Sequence, residues 1–114
     1  MNWLLILKYL AVAVTLVTGF LSIFWPANFS GFTGIQASSP RATSEIRAVM
    51  GGVFVGLAVA VLIFRTPQVF QMLGIGFAAI ALVRAISIVV DHAAVQSNII
   101  SLVSEIVLAI ILIL

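Results

Sequence analysis

Glu45, Arg47, Arg84, Asp91 and Glu105 stand within or at the ends of long apolar runs. Carboxylates and guanidinium groups at such positions can pair with one another, hold a proton or grip a small charged ligand. They need a reason to be there, because an ionised side chain at mid-helix costs about 2.5–3.5 kcal/mol on membrane-insertion scales. Their spacing suggests how the cost is met. Arg84 lies seven residues before Asp91, and Glu105 lies seven residues after Asn98. If the two runs form an antiparallel hairpin, both side chains sit about 10 Å below the same membrane face. Ser97, Ser101, Ser104 and Glu105 fall on one helical stripe, and polar stripes in lipid turn toward protein. Arg84 and Glu105 are therefore expected to meet. Glu45 would bring a second carboxylate to that level, with Arg84 between the two because a planar guanidinium can hold both. Arg41, four residues before Glu45, is an alternative partner along the helix. Arg47 or Asp91 would lie nearer water, and the spacing leaves open whether Glu45 or Asp91 is the closer partner of Arg84.

Other chemistry has little to stand on. With no cysteine and one histidine, thiolate catalysis and disulfides are excluded, and no metal or cofactor is implied. Asp91-His92 is an adjacent pair at a helix end, where a histidine is ordinarily solvated. Ser101, Ser104 and Glu105 have no histidine on their helix, so no catalytic constellation is visible. Small multidrug exporters use an acidic residue in the first helix, where this chain has only Lys8. Lys8 can snorkel to the headgroups and is given no role.

The elements that must position these residues are helices in a bilayer. Of 114 residues, 64% are apolar and 7% charged, against about half and a quarter in soluble domains. A net charge of +2 with no basic run gives no reason to expect nucleic acid. Crossing about 30 Å of hydrocarbon takes roughly 20 apolar residues, and a span in lipid must satisfy its own backbone. Four spans follow, at about 3–24, 40–64, 69–90 and 96–114. The first is read as a retained span rather than a signal peptide. It lacks a basic start, and Trp3 and Trp25 stand 22 residues apart, about 33 Å along a helix, which suits an aromatic pair at the two interfaces. Ser39-Pro40 is a strong helix start. In the linker before it, Trp25, Phe29 and Phe32 recur at near-helical spacing, which suits the headgroup layer or, equally, an irregular loop with a few lipid-facing aromatics.

These features predict one all-α domain over residues 1–114, an antiparallel up-down four-helix transmembrane bundle. Ala48, Gly52, Gly56 and Ala60 repeat every four residues, and Gly51 widens the row; small residues at that spacing form a helix-packing face, either inside the bundle or as a docking surface for a second copy or a larger membrane complex.

The stretches SEIRAVMGGVFVGLAV, LVRAISIVVD and SEIVLAI together resemble a bacterial family of small four-helix membrane proteins, domain-of-unknown-function family 4345. Its pattern Glu-x-Arg-Ala-x-x-Gly-Gly corresponds to Glu45, Arg47, Ala48, Gly51 and Gly52, with Arg84 and Asp91 in the third span and Glu105 in the fourth. Met50 stands where an aromatic is expected. The resemblance implies a fold and a bacterial membrane, and no activity.

The reading that follows is a small integral membrane protein of the bacterial inner membrane with cytoplasmic termini. It would be a non-enzymatic structural, accessory or assembly protein whose Glu/Arg network fixes the bundle. Its partners would be the lipid bilayer and either a second copy or a larger membrane complex. The alternative is binding or transport of a small ligand, a lipid headgroup or a proton through the polar cluster, near the face opposite the termini.

Overall fold

The computed structural model describes residues 2–114, without the side chains of Phe29 and Ser30; the part assigned to Phe29 in the headgroup layer lies outside them. Four helices are long and apolar enough to cross a membrane: α1 (Trp3–Phe24), α2 (Pro40–Phe64), α3 (Pro67–Val90) and α4 (Gln96–Ile113). No strand occurs among the described residues. Two short turns, Pro26–Phe29 and Ser30–Thr33, follow α1.

The helix ends have local causes. Ser39 is extended and its Oγ accepts from the Ala42 N–H at 3.0 Å, with proline next in line. Arg65 turns left-handed (φ 53°) after α2, and Thr66 is extended before Pro67, as a residue preceding proline must be. His92 is also left-handed (φ 53°). The Ala93 N–H then reaches back to the Ile88 carbonyl at 3.0 Å, the six-to-one bond of a Schellman ending. That fixes a backbone task for His92 as the residue that stops α3.

The chain divides into two compact units, one of the residues up to Ala11 with Arg65–Leu114 and one of Val12–Phe64. In the first, α3 buries Phe70, Leu73, Gly74, Phe77 and Ala81, and α4 buries Glu105, Ala109 and Leu112. A Cβ on Gly74 would lie 2.9 Å from Leu112 Cβ and 3.1 Å from the Ile113 nitrogen, so the two backbones meet there closely. Gly74 sits against Leu112 and Ile113 while Arg84 bonds Glu105; numbers rise on α3 as they fall on α4. Tyr9 meets Phe70 edge to face at 5.4 Å, and the Lys8 ammonium lies 5.8 Å from the same ring.

In the second unit, α1 and α2 approach through Gly19 and Gly51. A Cβ on Gly19 would lie 2.8 Å from the Val55 nitrogen and 2.9 Å from the Gly51 carbonyl oxygen. Between Ile46 and Val53, α2 widens into a π-helical segment, burying Ile46 and Gly51. These two are five residues apart, about 140° around an α-helix, and i→i+5 hydrogen bonding brings them to one side. The packing row expected from the sequence therefore divides. Gly51 packs, Ala48, Gly52 and Gly56 are exposed, and Ala60 is half-buried. Nothing lies within 4 Å of a Cβ placed on Gly56. Ala48, Gly52 and Gly56 keep their four-residue row on the exposed side, whereas Gly51, one residue before Gly52, lies against Gly19 and Ile23 of α1.

Candidate functional site

The α3–α4 hairpin positions the most developed polar cluster. Arg84 Nε donates to both oxygens of Glu105, at 3.0 and 2.8 Å, and Nη2 donates to Oε1 at 2.6 Å. Nη1 donates to Asn98 Oδ1 at 2.8 Å. Asn98 in turn donates from Nδ2 to the Ala93 carbonyl at 3.0 Å, tying the Arg84 side chain to the turn that the His92 stop creates. The Glu105 side chain is 12% exposed and that of Arg84 32%, so the carboxylate is the member shielded by protein. A fork-to-fork contact of this kind is the strong, directional form of an ion pair. Among the described residues no buried side-chain nitrogen or oxygen lacks a partner.

The other three members of the expected cluster have their own surroundings. Glu45 accepts from Arg41 one turn earlier, and both are exposed. Asp91 accepts from the Ser87 hydroxyl at 2.5 Å on the exposed end of α3. Arg47 is exposed on the π-helical segment and lines a hollow with Ser38, Ser39, Thr43 and Ser44.

Asn98 is the member that sequence reasoning passed over. Its signal was present: it lies seven residues before Glu105, two turns along the same face, beside a turn with backbone groups to satisfy. Of the serines on the α4 stripe, Ser104 turns back to the Ile100 carbonyl at 2.8 Å, which removes its hydroxyl from the cluster. Among the described residues no group of three or more His, Asp or Glu side chains could hold a metal ion.

The arrangement can do two things chemically. It can neutralise a guanidinium at membrane depth, and it can lock one helix against its neighbour in a single register. Residues 3–114 match the family model described as Domain of unknown function (DUF4345). No curated protein and no solved structure matches the chain.

Proposed function

We propose a structural role for this chain, which belongs to the domain-of-unknown-function family matched over residues 3–114. It is a small membrane protein that acts without catalysis, as a structural, accessory or assembly component, and Arg84 with Glu105 sets how its third and fourth helices pair. The observation that carries this reading is the three-bond grip of Arg84 on Glu105, completed by Asn98. Buried ion pairs often add little net stability, and fixing an arrangement is their best-attested use.

An assembly role also suits how little the helices bury. Within the most apolar window of each span, 22% of residues are buried in α1, α2 and α3 and 11% in α4. The rest must be covered by lipid or by other helices, and a second copy or a larger membrane complex would provide the latter. A bacterial inner membrane with cytoplasmic ends belongs to the same proposal, supported by Arg65 in the α2–α3 turn.

The competing reading, in which Glu105 carries a proton across the bilayer, makes a different forecast. Proteoliposomes with an imposed pH gradient and a trapped pH dye should show the same proton flux for wild type, for Glu105→Gln and for protein-free vesicles. A wild-type flux that Glu105→Gln abolishes would overturn the structural reading.

A further inference from the structure

The hollow at the start of α2 holds about 870 Å³ and is lined by Ser38, Ser39, Thr43, Ser44 and Arg47 on its polar side. Ile23 and Ala48 supply apolar wall. Ile23 is the residue before the last of α1 and Pro40 is the first of α2. The hollow therefore opens where two apolar spans end, at the depth of lipid headgroups.

Charge is sorted around this stretch of helix. Glu45, its only carboxylate, lines a separate hollow with Gln36, Ile46 and Met50 and is already paired with Arg41. That pair cancels, so Arg47 leaves the segment 38–48 with a net charge of +1 (Arg41 and Arg47 against Glu45). Among the described residues no acid lines the hollow beside Arg47. Arg47 has no hydrogen-bond or salt-bridge partner among the described residues, unlike Arg84 and Arg41. The hydroxyls of Ser38, Thr43 and Ser44 are likewise uncommitted, while Ser39 Oγ caps Ala42. A free guanidinium beside hydroxyl donors, with no competing carboxylate, matches a phosphate: Arg bonds its oxygens in a planar fork and the hydroxyls donate to those remaining.

We propose that this hollow binds a phosphate group, with Arg47 as the charged contact and Ser38, Thr43 and Ser44 as hydrogen-bond donors. The group is carried by a phospholipid headgroup or is free phosphate. The site does not involve Arg84 or Glu105, so it stands or falls apart from the structural role of that pair.

Native mass spectrometry of the full chain in neutral detergent tests it, with dioleoylphosphatidylglycerol, dioleoylglycerol (the same chains without phosphate) and inorganic phosphate as probes. Wild type should bind phosphatidylglycerol and not dioleoylglycerol. Arg47→Gln should weaken that binding about tenfold or more, as loss of a charge-assisted contact implies, and Arg41→Gln combined with Glu45→Gln, which removes the cancelling pair together, should leave it unchanged. Thr43→Val with Ser44→Ala should also weaken it, which keeps the test open if Arg47→Gln is poorly folded. Inorganic phosphate binding with the same Arg47 dependence would assign the site to free phosphate; its absence would assign it to the headgroup. Equal binding of dioleoylglycerol, equal losses in the Arg41→Gln/Glu45→Gln protein and in Arg47→Gln, or no binding of either phosphate probe would overturn the proposal.

Discussion

Asn98 shows how a polar residue at membrane depth is given a second task. One end of its amide accepts from Arg84 and the other closes the turn at Ala93. Asn98→Ala should cost about 1–2 kcal/mol, since one of the two bonds is to a charged group. The loss should shrink when Arg84 is already Met, because only the bond to the turn is then removed. Thermal unfolding of the four proteins in detergent checks this, and an undiminished loss would mean that Asn98 acts on the turn alone. His92 makes the opposite point. Its sequence position suggests only a solvated side chain at a helix end, yet its left-handed backbone ends α3. Sequence gives the side chain and not the φ angle, so that task was not legible.

At the scale of helices, the sequence was most informative where one physical rule acts alone. Apolar run length located all four spans, and Ser39-Pro40 marked the start of α2. The level of Arg84 and Glu105 also followed from counting along two regular helices. Counting along α2 placed Ala48, Gly52 and Gly56 in one row and could not say which side that row faces; between Ile46 and Val53 the helix is π-helical. Nothing in Ile-Arg-Ala-Val-Met-Gly-Gly-Val announces that change, so Gly51 and its counterpart Gly19 were not distinguishable from glycines that face outward. The difference is measurable. Gly74→Ala drives a Cβ against Leu112 and the α4 backbone and should destabilise by about 1–3 kcal/mol, the usual cost of overpacking. Gly56→Ala meets open space and should be neutral or mildly stabilising, given alanine's better helix propensity. Comparable losses from both would mean that Gly74 is not a close-packed contact.

For the molecule as a whole, composition alone identified the solvent. Large apolar side chains are exposed on all four helices, among them Leu10, Leu62, Val83 and Ile110, a surface that belongs against lipid or other helices. Against so little internal burial, a directional ion pair has more influence over which helices associate than it would in a soluble core. Thermal stability of the detergent-purified protein as wild type, Arg84→Met, Glu105→Gln and the double variant measures that influence. Each single change should cost about 1–3 kcal/mol by leaving one charged or polar partner alone, and the double variant should recover most of that loss. A Glu105→Gln protein as stable as wild type, or more so, would contradict the account, because the carboxylate would then be retained at a cost to the fold.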